Sequence, residues 1–344
     1  MKENVGFVTV IVGLTLSSFS TIVVALRFYC RYFLIGAFAI HDYVMLGALF
    51  VTWGNTILNY YQYYFGSGVR FSSLKETNPA SVRAKLAGTL LTWYLYRFMY
   101  VINLFLVKLS ILLFYRSIVT QVNFRRAIHA TIAFVSLYSG AMVIATIFQC
   151  QRPSDAYSVK VFLGQFRGKF FGKCYNPNLA WFVQAGVNLF TDAVIIILPI
   201  PCLLALRIQL DRRLALVGIF SVGIVAIIAS CIRVGILAIW SKSAGNQSQY
   251  GAQLLLWGQV EVNSGIVSAS IPFLRPLFKR TFGSHKQEEL GPPLRSQVPN
   301  TNKALELSSM EILSGPHNEP DGTPVWNPFI TVPESLSSTR SSIH

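Results

Sequence analysis

The chain has 344 residues, 53% hydrophobic and 12% charged, with mean hydropathy +0.49 and formal net charge +15. An ordinary soluble domain is about one-quarter charged, so the composition argues against a soluble fold and for a chain built for lipid. The charge does not point to nucleic acid: residues 1–283 hold 25 Lys and Arg against seven Asp and Glu, and the basic residues punctuate apolar runs, as in membrane topology.

Seven apolar segments follow one another: 5–27, 42–64, 87–115, 127–149, 179–204, 213–240 and 251–274. A helix needs about 20 apolar residues to cross a bilayer. Each segment is predicted helical, because backbone groups in lipid must be satisfied within the segment. The first has an apolar run of about 22 residues, longer than the roughly 7–15 of a signal-peptide core, and lacks a positive start. It reads as an uncleaved helix.

The third span carries Arg97 and, near its inner end, Lys108, which is placed to snorkel to the interface. Trp93, Tyr94, Tyr96 and Tyr100 at its outer end read as an interfacial belt or as a pocket lining. The segment 150–178 is long, basic and aromatic. Phe162, Phe166 and Phe170 recur every four residues, as on one face of a short helix that lies on the membrane or covers the bundle mouth. Cys150 and Cys174 flank this segment and can pair if it faces an oxidising side. Cys30, Cys202 and Cys231 read as packed thiols. Pro199 and Pro201 are expected to end or kink the fifth helix.

Polar residues inside the spans are the candidate site. In span 5, Gln184, Asn188 and Asp192 recur every four residues and form one stripe. In span 7, Trp257, Glu261, Ser264, Gly265 and Ser268 share a face, and small residues there suit close helix approach. Asp192 and Glu261 are read as the two deep acids; Arg97 and Arg233 lie at comparable depth and either can answer Glu261. Two readings fit this set. The groups lock helices together, or they floor an outward-opening pocket for a small molecule. There is no CxxC, no HExxH and no metal-ligand spacing among the five histidines, so neither metal nor cofactor is expected.

Arg27 and Arg31, then Arg116, Arg125 and Arg126, then Arg207, Arg212 and Arg213 crowd the short connections, and Arg275, Lys279, Arg280 and Lys286 follow the last span. These favour an outer or lumenal N-terminus and a cytoplasmic C-terminus, in the plasma membrane or an endomembrane. After Gly283 the composition turns rich in Pro, Ser and Thr: eight of fifteen prolines lie there. Residues 284–344 read as a disordered cytoplasmic tail. The expected fold is an all-α membrane protein, a seven-transmembrane helix bundle over residues 1–283.

Several stretches, in this order, resemble the fungal rhodopsin-domain family of seven-helix membrane proteins: RFYCRYFLIGAFAIHDYVML with Arg27, Arg31 and Asp42; KLSILLFYRSI at 108–118; QCQRP at 149–153 and GKCYN at 172–176; NLFTDAVIIILPIP at 188–201; IRVGIL at 232–237; and WGQVEVNSGIVSASIPFLRPL at 257–277. The resemblance spans roughly residues 20–280. It implies seven helices and an extracellular N-terminus. Some members are described as receptor-like, and others are encoded beside secondary-metabolite genes. The sequence departs from the family after span 2, where a Gly-rich turn with His is replaced by GSGVR with Arg70.

Retinal chemistry is not expected. A Schiff base needs a Lys in the last helix, and residues 251–274 contain none. D-R-Y-like and N-P-x-x-Y-like ends are also missing from spans 3 and 7. The favoured function is a receptor-like protein that binds an extracellular small molecule, with the bilayer around it and a cytoplasmic signalling partner at its inner loops and tail. The alternative is a membrane-embedded cyclase or isomerase of a secondary-metabolite pathway using Asp192 and Glu261 as acid–base groups. A transporter ranks last, because no inverted repeat or Gly/Pro-interrupted helix pair is present.

Overall fold

The computed structural model describes residues 5–66, 79–118, 121–166, 174, 177–199, 210–242 and 244–283. Among these residues the chain forms eight α-helices and no strand. They are α1 (Val5–Tyr29), α2 (Ile40–Tyr64), α3 (Pro79–Ile118), α4 (Val122–Ile147), a short α5 (Val159–Phe166), α6 (Pro177–Ile197), α7 (Leu210–Trp240) and α8 (Ala244–Gly283). Seven are long and form a bundle. The expected tail, 284–344, lies outside the described residues.

Local chemistry sets several ends. A π-helical stretch, Cys30–Ile35, extends α1 and closes at Gly36, whose φ of 73° is left-handed and suits a residue without Cβ. The Asp42 carboxylate accepts the Ala39 N–H at 3.0 Å and so satisfies a free donor at the start of α2. Helix α3 begins at Pro79, ahead of the predicted 87, with proline in the first turn where its missing N–H costs nothing. Helix α6 stops at Ile197, two residues before Pro199, rather than at 204. Helix α8 runs beyond 274 to Gly283, through Pro272 and Pro276.

The bundle reverses the polarity of a soluble protein. Phe50, Leu137 and Phe190 point outward, as lipid-facing residues do. Helices α1, α3, α4, α6 and α7 are long and apolar enough to cross a membrane. Helices α2 and α8 hold buried polar stripes instead: Thr52, Asn55, Thr56, Asn59 and Gln62 on α2, and Gln259, Glu261, Asn263, Ser268 and Ser270 on α8. Those stripes face protein, where hydroxyls bond across helices: Ser17 with Thr56 at 2.8 Å, and Ser20 to Asn263 at 2.7 Å.

Helices α3 and α8 sit at the centre. Helix α3 packs against α2, α4, α6 and α8; helix α8 packs against α1, α2, α3 and α7. The main core joins Val24, Met45, Tyr96, Tyr100, Val107 and Ile266. At one end, the Cys150–Cys174 disulfide ties the segment after α4 to the segment before α6. The pairing that the sequence left conditional is therefore present. In α5, Phe162 is half-buried; Phe170 lies outside the described residues.

The opposite end holds an ion cluster in which Arg27 does not behave as a connection residue. It is fully buried. Its guanidinium meets the buried Asp42 carboxylate at 3.0 Å, the Ala269 carbonyl at 3.0 Å and the His41 carbonyl at 3.4 Å. It also lies 3.9 Å from the Phe273 ring centroid. One arginine thus fastens α1, α2 and α8. Composition counted Arg27 as loop charge because it sits at a span boundary; its partner Asp42, fifteen residues on, turns it inward.

Candidate functional site

Four long helices bring polar side chains to one place near mid-depth. Glu261 of α8 is 2% exposed. One carboxylate oxygen accepts the Tyr100 hydroxyl of α3 at 2.7 Å and lies 3.4 Å from Arg233 Nη1 of α7. The other accepts Ser230 Oγ of α7 at 2.6 Å and the Asn188 amide of α6. Arg233 Nη1 also donates to the Tyr100 oxygen, and its guanidinium carbon stands 4.0 Å over the Tyr100 ring. A charge in hydrocarbon is costly unless paired and hydrogen-bonded, and each oxygen of Glu261 is so answered.

A second ion pair joins the first through Asn188. Lys108 of α3 is buried and donates to the Asn188 side-chain oxygen at 2.7 Å, the Thr191 hydroxyl at 2.6 Å and the Asn188 carbonyl at 3.0 Å. Its ammonium lies 3.1 Å from the Asp192 carboxylate. Asn188 Nδ2 also approaches Asp192 at 3.3 Å. The chain of contacts Lys108–Asp192–Asn188–Glu261–Arg233–Tyr100 is continuous, and its two cations balance two carboxylates.

The predicted residues divide clearly. Asn188, Asp192, Arg233 and Glu261 meet. Gln184 lies two turns before Asp192 and lines a small cavity with Lys108, Asn188 and Thr191. Trp257 is half-buried one turn before Glu261. Arg97, the other cation considered for Glu261, instead donates to Gln149 at 3.1 Å and stacks 4.7 Å over the Trp181 ring. Lys108 does not snorkel: Asp192 and the Asn188–Thr191 oxygens hold it inside. Tyr96 and Tyr100 are buried core residues rather than an interfacial belt.

On the disulfide side of the cluster the bundle is closed by aromatic packing. Tyr96 stacks on Tyr100 with centroids 5.8 Å apart, Trp93 meets Trp240 at 5.5 Å, and Trp181 meets Trp240 at 5.0 Å. A Cβ on Gly258 would clash with the Tyr96 hydroxyl. On the other side a cavity of about 60 Å³ runs from Lys108, Asp192 and Glu261 past Ser268 to Phe114, Tyr115 and Pro272. That is room for a few waters, and both deep carboxylates line it.

Sequence reading missed Lys108, Thr191 and Ser230 as members of the cluster, and offered Tyr100 only as belt or pocket lining. The signal lay in helical spacing. Lys108 follows Tyr100 by eight residues, and Ser230 precedes Arg233 by three, so each pair shares a face.

Comparison with known proteins agrees with this architecture. The family model described as the fungal rhodopsin domain matches residues 26–280. A receptor of Arthrobotrys oligospora, named Receptor GIN3, is 25% identical over 230 residues, covering 62% of this chain and 54% of the relative. A SAT4 family membrane protein of Emericella nidulans is 26% identical over 217 residues, 60% of this chain and 52% of the relative. The polyenoic acids biosynthesis gene cluster protein Ba17b of Metarhizium anisopliae is 25% identical over 289 residues, 80% of this chain and 73% of the relative. The matched part spans about half the length of the first two. No solved structure matches the chain. With three-quarters of its length matched by one family model, and with a bundle of long apolar helices to correspond, the chain belongs to the fungal rhodopsin-domain family.

Proposed function

We propose that this membrane protein is a receptor whose polar cluster is the two-state element. The observation that carries the reading is the set of partners of Glu261: Tyr100 on α3, Asn188 on α6, and Ser230 and Arg233 on α7. A small molecule that parts the aromatic packing on the disulfide side and draws Arg233 or Tyr100 away from the carboxylate changes contacts of four helices at once. Differential contact of that kind is what a ligand needs to shift a conformational equilibrium. The receptor name carried by one relative supports the same reading.

In this reading all seven long helices cross the bilayer, including α2. Exposed Tyr43 near one end of α2 and exposed Tyr64 at the other lie 21 residues apart, or about 30 Å, which matches the hydrocarbon thickness between two aromatic belts. The disulfide end faces the outside or the lumen, where cysteines pair, and the Arg27–Asp42 end faces the cytoplasm.

The deciding experiment replaces the gene in its own fungus with Glu261→Gln or Arg233→Ala and records the transcriptional response to extracellular extract. Loss of the response at normal membrane levels supports the receptor. An intact response in both variants refutes the role given to the cluster. A second reading, a membrane-embedded cyclase or isomerase, is favoured by one observation, that Asp192 and Glu261 line one cavity, and by relatives named for biosynthesis clusters. Turnover of a pathway intermediate by microsomes, abolished by Asp192→Asn, would establish it instead.

A further inference from the structure

The ion cluster at the α1–α2 turn is unbalanced: two guanidinium groups, Arg27 and Arg31, share one carboxylate, Asp42. Arg27 is fully buried and directs its donors at Asp42, His41 and Ala269. Arg31 differs. Its Nε donates to Asp42 at 2.9 Å, its side chain is 13% exposed, and its two terminal nitrogens have no acceptor among the described residues. The guanidinium that carries the extra charge is the one with access to the outside.

Its surroundings fix what the outside is. Beside Asp42, its guanidinium carbon lies 5.6 Å from the Phe273 ring centroid, and Tyr29, Tyr32, Phe33, Phe38 and Tyr43, along the same turn and the helix ends that flank it, are all exposed. Their rings form one connected set: Tyr29–Phe33 and Tyr32–Phe33 at 4.8 Å, Tyr32–Phe38 at 6.0 Å and Phe38–Tyr43 at 6.3 Å. Exposed tyrosines at the shared end of two long helices mark the headgroup level of a bilayer, with the phenylalanines on its apolar side. Lipid phosphates lie at that level.

We propose that the α1–α2 turn binds one anionic phospholipid, with its phosphate on the terminal nitrogens of Arg31 and its acyl chains against the aromatic set. A guanidinium presents two parallel N–H donors that fit a phosphate bidentately. The cluster's excess positive charge selects a lipid of net negative charge over a zwitterionic one. Gly36 in its left-handed conformation turns the chain and so sets Phe38 of the next segment beside Tyr32.

The test uses the full chain in detergent, incubated with equal amounts of phosphatidylserine and phosphatidylcholine, and native mass spectrometry of the last lipid retained. One arginine near a lipid surface contributes about 1 kcal/mol, a preference of roughly fivefold for the anionic lipid. The wild type is expected to show it, and Arg31→Gln to fall to parity. The double variant Arg125→Gln/Arg126→Gln, exposed basic residues of α4 at the same end, is expected to keep the preference. Parity in the wild type, an undiminished preference in Arg31→Gln, or an equal loss in the α4 variant overturns the proposal. Should Arg31→Gln not fold, Arg31→Lys decides: it keeps the charge and loses the bidentate contact. A preference below that of the wild type supports the site, and an unchanged one overturns it.

Discussion

The Lys108 ammonium lies 3.1 Å from the Asp192 carboxylate, with both side chains inside the bundle. Breaking a buried ion pair by removing one member costs about 3–5 kcal/mol, because the other charge is left without its partner. Lys108→Met is therefore expected to lower the melting temperature of the detergent-purified protein sharply, while Lys108→Met/Asp192→Leu recovers much of the loss. A double variant no more stable than the single one would show that the ion pair is not the source of the effect.

Tyr96 and Gly258 make a second coupled pair. A methyl group on Gly258 overlaps the Tyr96 hydroxyl, and overpacking of this kind costs about 1–3 kcal/mol. Gly258→Ala should destabilise the bundle by that amount in a thermal melt. Tyr96→Phe removes the obstructing oxygen, so Gly258→Ala should be milder in that background. Additive effects of the two substitutions would contradict the contact.

Arg27 makes contacts that an ammonium cannot reproduce. Its nitrogens reach Asp42, His41 and Ala269 from three directions, and its plane covers Phe273. Arg27→Lys keeps the charge and loses the fork. Its cost is expected to be about 2 kcal/mol, from two or more lost charge-assisted hydrogen bonds. Limited proteolysis of α8 should report it, because α8 is the helix that Arg27 fastens. Proteolysis indistinguishable from wild type would show that the clamp contributes little.

The Cys150–Cys174 bridge closes a loop of 24 residues. Constraining a loop of that size in the unfolded chain contributes about 3 kcal/mol. Cys150→Ser/Cys174→Ser should lose that stability. In the wild-type chain, denatured alkylation before and after reduction should differ by two thiols. Equal labelling would mean the cysteines are reduced in the isolated protein.

Hydropathy located the long helices well, since lipid-facing residues must be apolar whatever the interior holds. It was least informative about α2 and α8, whose polar stripes are satisfied only by neighbours far along the chain. Glu261 stood out as a carboxylate in an apolar run, and the four-residue spacing of Gln184, Asn188 and Asp192 set them on one face. The roles of Arg97 and Lys108 could not be read in the same way. Both are cations within one apolar helix, and what separates them is a Gln149 beside one and an Asn188–Asp192 face beside the other, positions that only the packing of α4 and α6 supplies. Arg27 looked like a boundary charge because Asp42, its partner, begins the next helix.

The four-helix junction at Glu261 has a consequence for biosynthesis. Helices emerge from the ribosome in order, and α8 comes last. Arg27 and Asp42 come together as soon as α1 and α2 are made, and Lys108 and Asp192 when α6 arrives. Arg233 and Tyr100 wait for Glu261 until the seventh long helix is made. A chain that stalls before α8 therefore holds Arg233 inside the bundle without its counter-charge, at the cost of an unpaired buried charge. Completion of the bundle supplies that counter-charge as a single carboxylate, Glu261.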